Sequence, residues 1–276
     1  MPSSLLQSEH VSQEAEALTA KKSTDRAFEL DFLRGIAIVM MVFMHFSYDV
    51  RYEFGMDAFG YLHSPWFWTF VHPIILVLFV GLSGICCTFS KNNLKRGLRL
   101  LAVALTFTIV TYVITEYVGV YCLIIFNVLH VLSISTLIYA LIAFIEQKAK
   151  IKAEQITFIL LLLGCWVMML INNISMYDSE DTSVIMYAFG VDVRGVPPTA
   201  DYMALVPWMG VFLACAAGGR ILYKEKKTLF AGAGKKVRAV TRPLEFLGRH
   251  SLLIYLVHQP LVYGILYIIF LIAGKV

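Results

Sequence analysis

The chain has 276 residues, of which 59% are hydrophobic and 15% are charged, and its mean hydropathy is +0.73. These values lie far from those of soluble domains and predict an integral membrane protein. The net charge of +4 comes from basic residues between apolar runs, without aromatic residues interleaved among them, so the sequence argues against nucleic-acid binding.

Residues 1–28 are polar and mixed in charge, and they lack a short apolar core followed by a small-residue cleavage site. We therefore predict a disordered cytoplasmic tail and not a signal peptide. The remainder, residues 29–276, is predicted to form a single transmembrane domain. A compact chain without a targeting segment favours the bacterial inner membrane.

Seven apolar runs follow the tail, each near the roughly 20 residues that a helix needs to cross a bilayer. Gly, Pro, Ser and His are interspersed within their apolar faces, which favours a helical bundle over a barrel of alternating strands. We predict an all-α fold with seven spans. The runs lie at about 32–50, 72–90, 98–116, 120–145, 156–174, 204–223 and 251–273.

Basic residues are dense in alternate connections, and short cytoplasmic loops are the ones that retain Lys and Arg. The dense connections include Lys21, Lys22 and Arg26; Lys91, Lys95, Arg96 and Arg99; Lys148, Lys150 and Lys152; and the run from Lys224 to Arg249. This pattern predicts a cytoplasmic N-terminus and an outer C-terminus.

The first span contains ionisable side chains, which cost several kcal/mol in a bilayer unless they are paired or hydrated. Asp31, Arg34, His45 and Asp49 fall close to one line on a helix, so they are predicted to share a face. Asp31 and Arg34 are expected to pair at the cytoplasmic end. His45 lies about 16 Å from Arg34 along the helix axis, at a rise of 1.5 Å per residue.

Histidine is frequent in or beside the other spans as well, and an imidazole in hydrocarbon needs a partner or water. The alternative is that each histidine makes only an interhelical hydrogen bond that fixes packing. Pro260 and Pro207 are predicted to break the last two spans. The five cysteines all lie in apolar runs without metal-binding spacing, so we expect no metal site.

Four segments together resemble the membrane acyltransferase family that includes the catalytic domain of heparan-alpha-glucosaminide N-acetyltransferase. They are Leu30–His45 (LDFLRGIAIVMMVFMH), Phe126–His130 (FNVLH), Asp201–Gly210 (DYMALVPWMG) and Phe246–Pro260 (FLGRHSLLIYLVHQP). The resemblance covers nearly the whole chain beyond the tail. It implies transfer of an acetyl or other acyl group from cytosolic acetyl-CoA or acyl-CoA to an amino sugar or related glycan on the outer face.

That chemistry requires a base for the acceptor, donors for the developing oxyanion and a pocket for an anionic donor. The resemblance places the active histidine in the outer loop, where this chain has His63-Ser64-Pro65-Trp66. It also places His45 where heparan-alpha-glucosaminide N-acetyltransferase has an asparagine. His45 and His63 are therefore rival bases. Asp49, one turn beyond His45, would hold the His45 ring in one tautomer.

The other candidate residues fall into two groups. The oxyanion or acceptor-side candidates are Asn127, His130, Asp201 and Trp208, and the donor-binding or structural candidates are Asp31, Arg34, Arg249, His258 and Gln259.

Two other classes of function stay open. A proton-coupled transporter also uses buried His, Asp and Arg with broken helices, although the sequence shows no internal repeat. A catalytically silent membrane scaffold is the third possibility. The expected partners are membrane lipid and the glycan acceptor, with no nucleic acid, and a homodimer is left open.

Overall fold

A computed structural model of the chain describes residues 27–174, 178–179, 183–193, 196–197 and 199–274. Most of the predicted tail, residues 1–26, lies outside the described residues. Within the described part, seven helices are long and apolar enough to cross a membrane. The predicted all-α fold with seven spans is therefore confirmed, as is an integral membrane protein.

The described residues form ten α-helices, and the seven that are long enough to span a membrane lie close to the predicted runs. They are α1 Phe28–Tyr48, α2 His72–Cys87, α3 Asn93–Val113, α4 Val128–Ala149, α5 Ala153–Met169, α6 Ile171–Ile174, α7 Val184–Phe189, α8 Leu205–Leu222, α9 Lys235–Arg249 and α10 Ser251–Ile272. Two-residue strands, β1 Asp178–Ser179 and β2 Asp192–Val193, pair in parallel. A 3-10 turn covers Gly60–His63, and π-helical turns cover Asp49–Glu53, Phe67–Val71 and Ile114–Val118.

The fourth span begins at Val128 and not near residue 120. Gly119 adopts a left-handed conformation, with φ of 78°, directly after the π-helical turn that follows α3. Asn127 then caps α4, because its side-chain oxygen accepts a hydrogen bond from the Leu129 amide at 3.1 Å. The residues between these two points are too irregular to belong to the helix.

The two predicted proline breaks have different outcomes. Val206, before the cis peptide bond to Pro207, has non-helical angles of φ −97° and ψ 129°, so the chain is irregular at the start of α8. The predicted break at Pro260 is wrong, since α10 is helical from Ser251 to Ile272. A proline removes a single backbone hydrogen bond, and the rest of a helix in hydrocarbon keeps its bonds because no water competes for them.

The chain divides into two compact units. A terminal unit combines Met1–Phe59 with Tyr223–Val276, and a central unit comprises Gly60–Leu222. In the described part of the terminal unit, α1 packs against α9 and α10. In the central unit, α8 packs against α2 and α5, and α3 packs against α4.

Glycines allow α9 to touch the backbone of α1. A Cβ atom at Gly35 would overlap the Leu244 carbonyl oxygen, and one at Gly248 would overlap the Asp31 carbonyl oxygen. Only a residue without a side chain permits this separation. The contact fixes α9 against the first two turns of α1.

Helices α1 and α10 run parallel, since contacting residues rise in number together along both. His45 lies beside His258, Asp49 beside Gln259, and Val50 beside Leu266. The last contact belongs to an apolar cluster, completed by Phe270, at the far end of the pair. The polar residues between the two helices are therefore followed by an apolar cluster at that end of the pair.

A partly buried ion pair ties three helices of the central unit together. Arg220 of α8 donates to both carboxylate oxygens of Glu146 in α4, at 2.5 and 2.9 Å. Its Nε also donates to the Thr157 hydroxyl of α5 at 3.0 Å. Such bidentate pairing fixes the relative rotation of α4, α5 and α8 at this end.

Candidate functional site

Two histidines meet between α1 and α10. The ring centroids of His45 and His258 are 5.0 Å apart, with the planes inclined at 60°. His258 is buried, and its Nδ1 lies 2.7 Å from the Tyr255 carbonyl oxygen. A carbonyl only accepts, so this bond places the proton of the neutral ring on Nδ1 and the lone pair on Nε2.

A buried carboxylate lies one turn beyond His45. Asp49 is 1% exposed, and both of its carboxylate oxygens accept from Gln259 Nε2, at 3.0 and 3.1 Å. Asp49 also begins a π-helical turn, a local widening of the helix that is frequent at functional sites. The structure thus brings His45, Asp49, His258 and Gln259 together, although these residues come from opposite ends of the sequence.

The amide group of Gln259 also contains a carbonyl oxygen that makes no hydrogen bond to a described residue. Its Oε1 atom is buried and has no hydrogen-bond partner among the described residues. A buried acceptor in this condition costs on the order of 1–3 kcal/mol, and a hydrogen-bond donor brought into the site would remove that cost. The amine or hydroxyl group of a molecule that receives an acyl group could donate this hydrogen bond.

An apolar crevice of about 440 Å³ lies along the same helices. Its walls include Ile38 and Val42 of α1, Leu247 of α9 and Ile254 of α10, and all the side chains lining it are apolar. His45, Asp49, His258 and Gln259 do not line this crevice, so they form a separate feature of the terminal unit.

Asp31 pairs with α9 and not with Arg34. The Asp31 carboxylate lies 4.0 Å from Arg249 Nε, and no ion pair between Asp31 and Arg34 occurs in the described part of the chain. The expected i, i+3 pair is replaced because the glycine contact brings Arg249 to the start of α1. Arg34 is half-buried and makes no ion pair with a described residue.

A buried carboxylate on α9, Glu245, was missed in the sequence analysis. It accepts hydrogen bonds from the Thr241 hydroxyl at 2.6 Å and from Arg238 at 3.2 Å, and Arg249 lies 3.8 Å away. The available signal was that Glu245 is the one acidic residue within the basic segment Lys235–Arg249. It neutralises part of the positive charge of α9 next to α1.

His63 lies in the central unit, at the end of the 3-10 turn Gly60–His63, and its side chain is exposed. The neighbouring indole of Trp68 donates to the Leu62 carbonyl at 2.8 Å, which holds the loop in place. The rival bases thus have different surroundings, because His45 is half-buried between helices whereas His63 is at the surface of a loop.

Asn127 and His130 are buried together at the start of α4, at 0% and 5% exposure. The Asn127 Oδ1 atom is 3.0 Å from His130 Nδ1, and His130 Nε2 is 3.4 Å from the Thr108 hydroxyl of α3. The Asn127 backbone N–H also donates to His130 Nδ1 at 3.3 Å, which completes a capping box. The pair therefore caps α4.

Asp201 and Trp208 lie at the entrance to α8. Asp201 is exposed, with φ of 50°, and Trp208 is half-buried. Two tyrosines beside them were not predicted from the sequence. The Tyr202 hydroxyl donates to the Tyr187 carbonyl at 2.6 Å. Burial raises the pKa of Tyr202 to about 12, so this hydroxyl stays protonated at neutral pH.

All the candidate residues lie within one family match. The model of the catalytic domain of heparan-alpha-glucosaminide N-acetyltransferase matches residues 26–260. The chain belongs to this family. Neither the curated proteins nor the solved structures that were compared with the chain gave a match.

Membership of the heparan-alpha-glucosaminide N-acetyltransferase catalytic family confirms the resemblance seen in the sequence. The family is named for an N-acetyltransferase and uses acetyl-CoA as donor. The match ends at Pro260, directly after His258 and Gln259, and therefore includes both halves of the polar group between α1 and α10. Among the described residues, no three His, Cys, Asp or Glu side chains form a metal-binding group.

Proposed function

We propose that the protein transfers an acetyl or other acyl group from a cytosolic acyl-CoA to an amino sugar or related glycan on the outer face of the membrane. Family membership supports the class of reaction. The observation that supports the location of the chemistry is the polar group His45, Asp49, His258 and Gln259, held between two membrane-spanning helices.

His45 is the base that this geometry favours. A base must be desolvated enough to react with the acceptor, and its charged form must be stabilised by a nearby anion. His45 is half-buried, contacts a second imidazole and precedes the buried Asp49 carboxylate by one helical turn. His63 is exposed on a surface loop, and we assign it a supporting role at the acceptor side.

The proposed step balances as follows. The acceptor nitrogen or oxygen attacks the thioester carbonyl, and His45 takes the proton that the acceptor loses. The new C–N or C–O bond forms, the C–S bond breaks, and the proton passes from His45 to the departing thiolate of coenzyme A. Asp49 stabilises the imidazolium while it carries this proton, as acidic partners of histidine do in other acyl-transfer sites.

Other candidates fit supporting roles in the same proposal. Arg34 is the better ligand for donor phosphates, since Arg249 and Asp31 already neutralise each other. Asn127, His130, Asp201 and Trp208 lie in the central unit, and their oxyanion or acceptor-side roles stay predictions from the sequence.

The decisive experiment measures acetyl transfer from labelled acetyl-CoA to amino-sugar acceptors by the purified protein in detergent. His45→Ala should lower kcat/KM by at least about a hundredfold, which is the usual contribution of a general base. His250→Ala is the matched control, because that imidazole is exposed and bonds only to the Phe246 carbonyl of its own segment. We expect this control to keep wild-type activity.

The remaining results separate the alternatives. Loss of activity in His63→Ala with full activity in His45→Ala would assign the base to His63. Full transfer by both variants would contradict the proposed chemistry. Uptake of a solute into proteoliposomes without dependence on acetyl-CoA would favour the proton-coupled transporter, and neither transfer nor uptake would favour the scaffold.

A further inference from the structure

One face of helix α9 packs against the rest of the terminal unit. Thr241, Glu245 and Gly248 are buried against the start of α1, and the Arg238 guanidinium lies 3.9 Å from the centroid of the Phe28 ring. The backbone contacts at Gly35 and Gly248 hold the helix in this position. The side chains on its opposite face are exposed.

The other face of α9 combines exposed apolar side chains with exposed cations. Val240 is 78% exposed, Phe246 58% and Val237 51%. The cations on the same exposed surface are Lys235, Lys236 and Arg242. Lys235 and Arg242 are seven residues apart, so they fall on one line along the helix. Exposed cations and exposed apolar groups together make this an amphipathic surface.

Helix α9 lies next to the starts of two membrane-spanning helices, so its exposed face is close to the membrane surface. A single residue, His250, separates it from the membrane-spanning α10, and it packs on the first turns of the membrane-spanning α1. It therefore lies at the membrane surface where these two parallel spans begin. Amphipathic helices rich in Lys and Arg with apolar neighbours bind at that depth, with the cations attracting anionic headgroups.

We propose that the exposed face of α9 is a binding surface for anionic phospholipid of the adjoining leaflet. Lys235, Lys236 and Arg242 contact the headgroup phosphates, and Val240 and Phe246 enter the region between headgroups and acyl chains. Because α9 is fixed to α1 near Asp31, bound lipid stabilises the same end of the first span. This inference does not depend on the acyltransferase proposal.

The test compares thermal unfolding of the purified full chain in nanodiscs of phosphatidylcholine with and without phosphatidylglycerol. Phosphatidylglycerol should raise the Tm, since a ligand that binds only the folded state stabilises it. The triple variant Lys235→Gln, Lys236→Gln, Arg242→Gln should lose on the order of a hundredfold in apparent affinity for phosphatidylglycerol. High salt should weaken the wild-type response.

The matched control removes the same charge elsewhere. Lys148→Gln, Lys150→Gln, Lys152→Gln alters an exposed or half-exposed loop of the central unit and should keep the wild-type response. A Val240→Ser variant should bind phosphatidylglycerol more weakly although all cations remain. An equal Tm gain from coenzyme A without phosphatidylglycerol would overturn the proposal in favour of a nucleotide phosphate. An unchanged phosphatidylglycerol response in the triple variant, or after deletion of the apolar Val240 side chain, would also overturn it.

Discussion

Asp49 is the most constrained ionisable residue of the candidate site. Its carboxylate is 1% exposed, and the two hydrogen bonds from Gln259 leave it further acceptor capacity. An ionised carboxylate in a bilayer is tolerated where it meets donors or a positive charge. Gln259 supplies the donors at rest, and a protonated His45 would supply the charge during a reaction.

Replacement of Asp49 by Asn tests this role at constant shape. We expect Asp49→Asn to lower kcat/KM for acyl transfer at least about tenfold, because loss of the carboxylate charge removes stabilisation of the imidazolium that is worth about 1.4 kcal/mol. Asp57→Asn is the control, since the Asp57 side chain is 97% exposed in an ion pair with Arg51. Steady-state kinetics and thermal unfolding should be measured on both variants.

The expected pattern is a loss of rate for Asp49→Asn with little change in Tm, because the amide keeps the volume of the carboxylate and a partner for Gln259. Full activity in this variant would exclude a charge-stabilising role for Asp49. A large loss of stability would instead indicate that Asp49 serves mainly to join α1 and α10.

The sequence marks these residues as candidates but does not show how they pair. His45, Asp49 and His258 were candidates because ionisable groups are costly in hydrocarbon wherever the chain folds. The contact of His45 with His258 depends on the parallel packing of the first and last spans, which no local pattern encodes. The same long-range packing explains why Asp31 meets Arg249 and not Arg34.

Among the helices, the crossing of α1 and α9 is the closest approach in the described part of the terminal unit. Two glycines, Gly35 and Gly248, face the partner backbone there, and neither has room for a methyl group. Close packing through small residues is the main source of stability between helices in a bilayer, where the hydrophobic effect is absent. The crossing also determines where Glu245 and Arg249 lie relative to Asp31.

Alanine at either glycine should therefore separate the helices. We expect Gly35→Ala and Gly248→Ala each to destabilise the folded protein by about 1–3 kcal/mol, the typical cost of overpacking. Gly264→Ala within α10 is the matched control, since nothing lies within 4 Å of the added Cβ. That change should be neutral or stabilising by about 0.5–1 kcal/mol, because alanine is the better helix former.

Thermal or denaturant unfolding in one detergent measures all three variants. If Gly35→Ala and Gly248→Ala unfold together with Gly264→Ala, the close contact of α1 with α9 does not exist in solution. If only the double variant is destabilised, the crossing can shift to admit one methyl group.

Element boundaries followed from the sequence where the apolar run was bounded by charge, and failed where it was not. The run at 120–145 contains no break in hydropathy at Asn127, so the start of α4 depends on a side-chain cap that hydropathy does not record. Pro260 was expected to break the last span, yet α10 continues through it. Hydropathy gives the length of hydrocarbon crossed, whereas capping and packing set the ends of the helix.

For the whole molecule, the parallel packing of α1 and α10 constrains the topology. Helices that begin on the same side of a membrane are separated by an odd number of intervening spans. The five spans between α1 and α10 satisfy this rule. The packing thus agrees with seven crossings, and the basic connections then predict which side is cytoplasmic.

We predict that the basic connections face the cytoplasm and that the loop after α1 faces outward. Labelling with a membrane-impermeant maleimide measures which side each loop faces. The variants are Asp57→Cys, Lys148→Cys and Lys226→Cys, each made in a chain from which the five native cysteines have been removed. In intact spheroplasts of a bacterial host, Asp57→Cys should be labelled, whereas Lys148→Cys and Lys226→Cys should react only after lysis. The reverse pattern would invert the protein, place His63 in the cytoplasm and remove the outer acceptor from the proposed reaction. Labelling of all three before lysis would instead mean that the chain does not seal against the bilayer.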